Sequence, residues 1–137
     1  RLQHDEMLAL AGELQGLLHA GALSKDGSPA RRCMTKLFAK LTLHLAAEDR
    51  VLYPELEAHK DPAIAALARR FSTEMKSTAA QVTSYGQRWS TAAAIQANAQ
   101  GFIGETKKLL GIISDRMQRE NRELYAAADR TEGKAFG

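Results

Sequence analysis

Hydrophobic residues recur every three or four positions along most of the chain, the spacing that places them on one side of an α-helix. Glycine and proline divide this pattern into four segments, at about 2–21, 29–59, 62–88 and 102–130. Ser28-Pro29 and Asp61-Pro62 are predicted helix starts, because each joins an N-cap side chain to a proline that suits the first helical turn. Short connections predict antiparallel neighbours, so the sequence predicts one all-α domain over residues 1–137, an up-down-up-down four-helix bundle.

An internal repeat supports this arrangement. The stretch "HLAAEDRVLYP", which starts at His44, returns 72 residues later as "RMQRENRELYA". A shift of 71 residues likewise lays the first segment on the third. The aligned pairs are Glu48 with Glu120, His44 with Arg116, and His4 with Met75. The chain is therefore predicted to contain two helical hairpins related by a pseudo-twofold axis.

Polar residues interrupt the apolar rows of these helices at one level. In an antiparallel hairpin, residues equally distant from the turn lie side by side, and this rule places six residues in one zone of the interior: His4, His44, Glu48, Met75, Arg116 and Glu120. A buried charge costs several kcal/mol unless it is paired or bound to a metal. Iron, manganese and zinc all accept imidazole and carboxylate ligands, so a metal site is one solution.

At this point the chain resembles the hemerythrin-like family of His-His-Glu cation-binding domains, over nearly its whole length. "QHDEM" near the start is similar to the family's first-helix histidine motif. "HLAAEDRVLYP" is similar to its second-helix motif, "RMQRENRELY" to the fourth-helix counterpart, and "HKDPAIAALARRF" to the connection between helices two and three. The resemblance implies a non-haem iron site, with His4, His44, Glu48 and Glu120 at ligand positions. It further implies binding or sensing of dioxygen or nitric oxide, or redox chemistry.

Two departures from the family pattern limit that expectation. Met75 and Arg116 stand where the resemblance implies ligand histidines. A thioether is a poor ligand for ferric iron, and arginine keeps its charge and cannot ligate. We therefore expect one iron ion rather than two, with zinc or manganese as alternatives. A metal-free ionic cluster, in which Arg116 pairs with Glu48 or Glu120, is the competing expectation.

Residues around the predicted site have simpler interpretations. Tyr53 follows His44 by nine positions, which predicts the opposite face of the helix unless Pro54 distorts it. Glu74 flanks the apolar row and is expected to be exposed. Asp5 and Asp49 either orient the neighbouring histidines or lie at the surface. Two residues near helix ends are expected to be structural, and these are His19 and His59.

Composition narrows the classes of function. The single cysteine, Cys33, cannot form an internal disulfide, which favours the cytoplasm and a packing role. The net charge of +3 is mild, and Arg32, Lys36 and Lys40 read as a solvated helix face, so nucleic-acid binding is not expected. A run of about 18 uncharged apolar residues, which a membrane span would need, is missing from the sequence.

Two hypotheses of function remain. The first is a cytoplasmic metal-binding or sensing domain with an incomplete, mononuclear site and a small diatomic ligand. The second is a metal-free bundle that acts as an interaction or regulatory module, with a protein partner or a second copy left open. The sequence contains no activated nucleophile or phosphate-binding loop, which favours binding over enzymatic catalysis.

Overall fold

The part of the chain that this computed structural model describes, residues 2–126, is mainly helical and contains no strand. The all-α prediction is therefore confirmed. The α-helices are α1 (Leu2–Gly16), α2 (Ala20–Lys25), α3 (Ser28–Ala47), α4 (Tyr53–Glu57), α5 (Pro62–Arg88), α6 (Ala92–Ala97) and α7 (Ala99–Arg119). The predicted end of the last helix near Arg130 lies outside the described residues.

Two short helices form where the sequence predicted breaks. The first predicted segment ends at Gly16 rather than near residue 21, and α2 then occupies the glycine- and serine-containing connection. Helix α6 lies in the third predicted break, between residues 88 and 102, and packs against α2. Alanine has the highest intrinsic helix propensity, and each short helix buries one large apolar side chain, Leu23 in α2 and Ile95 in α6. Local propensity and one buried contact thus extend the helical structure into both connections.

One of the two predicted helix starts is confirmed. The Asp61 carboxylate accepts a hydrogen bond from the backbone N–H of Ala63 at 2.9 Å, as an N-cap should. The other prediction is displaced by one residue, because Gly27 is the N-cap and Ser28 already belongs to α3. The Ser28 backbone N–H is instead satisfied by the side chain of Asp26, at 3.0 Å.

The long helices pack so that antiparallel neighbours meet. Helix α1 contacts α3 and α7, and α5 contacts the same two helices. The start of α1 lies at the end of α3, where His4 meets His44. At the end of α5, the Tyr85 hydroxyl is 2.5 Å from Thr106, near the start of α7.

Buried apolar residues form two clusters, and the predicted polar residues fall between them along the helices. Glu120 shows this arrangement, since it follows Met117 of the larger cluster and precedes Leu124 of the smaller one. On the other hairpin, Glu48 occupies the equivalent place between Leu41 and Leu52. A polar layer therefore separates the two parts of the apolar interior.

The repeated sequence motif coincides with two π-helical turns, a first π segment at Glu48–Leu52 and a second at Glu120–Tyr125. In the first, the backbone N–H of Tyr53 bonds to the carbonyl of Glu48, five residues earlier. Pro54 follows directly and has no N–H with which to continue the α-helical pattern. The extra residue of a π turn sets the following side chains back by about 100°. In a regular α-helix Val51 would share the core-facing side with His44, whereas here it is 61% exposed.

Within residues 2–126, every helix is too short or too polar to cross a lipid bilayer.

Candidate metal centre

Four of the six residues predicted to converge form one buried cluster, which we call the His/Glu cluster. His4 comes from α1, His44 from α3, and Glu48 and Glu120 open the two π segments. One ligand atom from each residue lies within 4.8 Å of the others. All four side chains are at most 3% exposed. The four side chains therefore meet at one level, as their distances from the turns of the hairpins predicted.

The two imidazoles meet through their Nε2 atoms. These atoms lie 2.8 Å apart, and the ring planes are inclined at 71° with centroids 4.5 Å apart. The His44 Nε2 also lies 3.1 Å from Oε2 of Glu48, one helical turn further on. Both imidazoles thus aim the same nitrogen at the centre of the cluster, which is the arrangement that metal-binding histidines use.

Glu120 divides its two carboxylate oxygens between two sets of neighbours. Its Oε1 lies 3.4 Å from the His4 Nε2 and 3.9 Å from the His44 Nε2. Among the described residues this oxygen accepts no hydrogen bond, although it is buried. A buried, charged oxygen without a donor is costly, and a cation between it and the two nitrogens would satisfy it.

Tyr53 is the residue at this site that the sequence analysis missed. It was placed on the opposite helix face, yet it is only 2% exposed and its hydroxyl donates to Oε2 of Glu120. The same hydroxyl lies 3.4 Å from Oε1 of Glu48. The first π segment explains the difference, because it rotates Tyr53 towards the cluster. The signal in the sequence was Pro54, which was recognised as the one residue able to distort this helix.

The electrostatic environment of the cluster shifts three pKa values. Burial alone would lower the pKa of His44, but the nearby carboxylates of Glu120 and Glu48 raise it to about 9. Burial alone would raise the pKa of Glu120, but its polar contacts with both histidines, Glu48 and Tyr53 lower it to about 2. Burial, followed by the charge of Glu120, raises the pKa of Glu48. Without a metal, a proton on His44 therefore supplies positive charge between the carboxylates.

Arg116 has a different partner from the one predicted. Its Nη1 lies 2.5 Å from Oε2 of Glu74 on α5, and Arg119 lies 3.4 Å from the same oxygen. The prediction that Arg116 pairs with Glu48 or Glu120 is therefore wrong, and Glu74, which was expected to be exposed, has a side chain that is only 29% exposed. The guanidinium lies against the half-buried carboxylate of Glu74 on the neighbouring helix α5. Arg116 therefore does not neutralise the carboxylates of the cluster.

The remaining predicted residues lie around or away from the cluster. Met75 is 5% exposed and packs in the smaller apolar cluster with Tyr53 and Leu124, so it is a core residue. Asp5 and Asp49 are exposed, which settles the open alternative in favour of the surface. The two other histidines lie away from the cluster. His19 is exposed. The Nδ1 of His59 accepts a hydrogen bond from the backbone N–H of Asp61 at 3.0 Å.

The donor set can hold a metal cation. Two imidazole nitrogens and two carboxylates are ligands that iron, manganese and zinc accept, and they converge from separate elements on one point. The unsatisfied Oε1 of Glu120 faces that point.

Comparison with known proteins agrees with this geometry. The family model of the hemerythrin HHE cation-binding domain matches residues 1–128. No curated protein and no solved structure matches the chain. The family match covers nearly the whole sequence and includes all four residues of the His/Glu cluster. The chain therefore belongs to the hemerythrin HHE cation-binding domain family.

Proposed function

We propose that this domain binds a single non-haem iron ion through His4, His44, Glu48 and Glu120, and that it binds or senses a small diatomic ligand there. The observation that carries the proposal is the convergence of these four donors within 4.8 Å in the interior. Two carboxylates buried together need positive charge. Because Arg116 pairs with Glu74, that charge comes either from protons on the cluster or from a metal ion.

The choice of iron follows from the proposed ligand. Imidazole nitrogen and carboxylate oxygen are ligands that iron, manganese and zinc all accept. Reversible chemistry with a diatomic ligand needs a redox-active metal, and zinc has no redox chemistry. An octahedral iron with four protein ligands also keeps room for a small ligand.

A bound iron would supply a redox-active centre with free coordination positions. The protein contributes the four donors and an apolar surrounding. Met7 and Met117, one turn from His4 and Glu120 respectively, are almost completely buried. Such packing excludes bulk water and protects a diatomic ligand or a reactive oxidation state from proton leakage.

Several features support one ion rather than two. Among the described residues, the His/Glu cluster is the one group of three or more histidine, cysteine or acidic side chains able to hold a metal. Met75 is engaged in apolar packing, and Arg116 is engaged with Glu74. Neither side chain can replace a histidine ligand.

For the architecture, we propose that α1, α3, α5 and α7 form the predicted up-down-up-down four-helix bundle. The support is the neighbour pattern, in which α1 and α5 each contact both α3 and α7. The internal repeat makes the two hairpins equivalent, with a glutamate at the start of each π segment. A cytoplasmic location remains part of this proposal, supported by the lone buried Cys33.

The test is metal content. Protein purified without chelators or a metal-binding tag is analysed for transition metals, then reconstituted anaerobically with Fe(II) and exposed to dioxygen or nitric oxide. We expect about one iron per chain and an absorption change on exposure to the gas. His44→Gln should weaken iron binding more than about 100-fold. The matched control is His19→Gln, at an exposed histidine.

The opposite outcome is equally informative. Less than about a tenth of an equivalent of any metal after reconstitution would reject the proposal in favour of a metal-free interaction module. Two irons per chain would reject the mononuclear site.

A further inference from the structure

The hydroxyl of Tyr53 joins the two carboxylates of the His/Glu cluster from the side away from the histidines. Glu120 turns Oε1 to the histidines and receives the Tyr53 hydroxyl on Oε2. Glu48 is arranged in the same way, with Oε2 at 3.1 Å from His44 and Oε1 at 3.4 Å from the Tyr53 hydroxyl. Each carboxylate therefore has one oxygen towards the nitrogens and one towards the tyrosine.

We propose that Tyr53 is a positioning residue that fixes both carboxylates so that one oxygen of each faces the bound ion. This inference rests on the proposed metal site and adds a fifth residue to it. A carboxylate that can rotate about its terminal torsion loses entropy when it binds a metal, and a hydrogen bond to its other oxygen removes that freedom in advance. The single hydroxyl proton is shared unequally between the two carboxylates. The contact with Glu120 is the shorter and stronger one, and the contact with Glu48, at 3.4 Å, is the weaker one.

The first π segment directly precedes Tyr53 and turns its side chain towards the His/Glu cluster. Tyr53 donates its backbone N–H to the carbonyl of Glu48, so the residue and the carboxylate that it contacts are linked at both backbone and side chain. Its ring is held by the smaller apolar cluster, in which Phe71 and Leu124 are also buried. A rigid ring with a fixed hydroxyl is what a positioning role requires.

A ligand role for Tyr53 is the competing interpretation. The hydroxyl lies on the far oxygens of both carboxylates, whereas the two histidine nitrogens lie on the near ones. An ion bound between the histidines and the near oxygens leaves the phenol protonated and donating. The positioning role therefore predicts that Tyr53 keeps its proton when the metal binds.

The experiment compares Tyr53→Phe with the matched control Tyr85→Phe. Both tyrosines are 2% exposed, and each has a buried hydroxyl with a side-chain partner. Tyr85, however, belongs to the larger apolar cluster, and its hydroxyl contacts Thr106. Fe(II) affinity is measured anaerobically by competition with a chelator, and the number of protons released is obtained by calorimetry in two buffers. A cooperative unfolding transition of each metal-free variant, measured in urea, shows that the variant is folded.

We expect Tyr53→Phe to weaken Fe(II) binding between about 10- and 100-fold, the usual effect of losing a residue that orients a ligand. Tyr85→Phe should bind as the unmodified protein does. The number of protons released should be the same for the unmodified protein and Tyr53→Phe, because the phenol is not deprotonated.

Unchanged affinity in folded Tyr53→Phe would overturn the positioning role while leaving the metal site intact. A phenolate-to-iron absorption band in the oxidised protein that Tyr53→Phe lacks would overturn it in favour of direct ligation. If the unmodified protein binds no Fe(II), the proposed function fails and this inference falls with it.

Discussion

The Nε2 atoms of His4 and His44 lie 2.8 Å apart although 40 residues separate them in the chain. Each nitrogen also faces a carboxylate, Glu120 for His4 and Glu48 for His44. Two neutral imidazoles can share one hydrogen bond at this distance, but two protonated ones would repel each other. The pair is therefore stable either with a shared proton or with a cation that both nitrogens bind.

His44→Gln tests the histidine pair directly. Glutamine keeps a polar side chain in the cluster but removes the nitrogen that faces His4 and both carboxylates. We expect Fe(II) affinity to fall more than about 100-fold, beyond the loss typical of an orienting residue. Chelator competition measures this. His59→Gln serves as a second control, and a similar loss there would show that the effect is not specific to the cluster.

Metal-free stability should depend on pH through three groups of the His/Glu cluster. The pKa of Glu48 is raised by burial and by the charge of Glu120, so its contribution is lost as the pH rises above 4.5. The pKa of Glu120 falls from 4.5 to about 2 on folding, so its contribution is complete above pH 4.5 and is lost as the pH falls towards 2. The pKa of His44 rises from 6.5 to about 9, so its contribution is complete below pH 6.5 and is lost as the pH rises towards 9. We therefore expect maximum stability between pH 4.5 and 6.5. Urea unfolding of the metal-free protein at a series of pH values from about 2 to about 9 measures this profile.

His44→Gln is also the control for this profile. It should remove the decrease in stability on the alkaline side, between pH 6.5 and about 9, because the titrating group is gone. A metal-free profile that keeps the same alkaline decrease in this variant would assign the effect to another group.

Arg116→Gln should have a small effect, in contrast to the prediction from sequence. A buried charge stranded by the loss of its partner costs about 3–5 kcal/mol, which was the expectation for a pair with Glu48 or Glu120. Arg116 instead pairs with Glu74, at side-chain exposures of 22% and 29%, and Arg119 remains near the same carboxylate. We expect a loss of at most about 1 kcal/mol in unfolding free energy, with iron content unchanged. A larger loss with reduced iron content would mean that the guanidinium acts on the His/Glu cluster, whereas a larger loss with unchanged iron content would mean that the pair with Glu74 is itself strongly stabilising.

Helical spacing and antiparallel packing were enough to predict the His/Glu cluster. His44 and Glu48 are four residues apart, so they share a helix face, and the distances from the turns bring His4 and Glu120 to the same level. Both the spacing along a helix and the pairing of levels in a hairpin follow from regular helix geometry. Positions in the sequence were therefore sufficient to predict which four side chains meet.

The errors arose where a local choice depends on tertiary contacts. A single π turn moves Tyr53 from the predicted outer face to the cluster, and hydrophobic periodicity carries no mark of that extra residue except Pro54. Arg116 was assigned to the nearest predicted carboxylates, but long side chains choose among several partners. Glu74 on the facing helix provides a better-placed one. Rotamers of this kind are decided by packing, which one sequence does not reveal.

Glu48→Gln should separate stability from metal binding. Burial and the charge of Glu120 raise the pKa of Glu48, so ionisation of this carboxyl costs the folded protein stability. Glutamine has nearly the same shape and no charge, so we expect the metal-free variant to be at least as stable as the unmodified protein at pH 7. Iron affinity should nevertheless fall, because one of four donors is lost. Stability gained at the expense of function is the usual sign of a residue retained for its chemistry. Thermal unfolding with and without Fe(II) measures both effects. A less stable metal-free variant would show that the ionised carboxylate stabilises the fold by pairing with His44, 3.1 Å away.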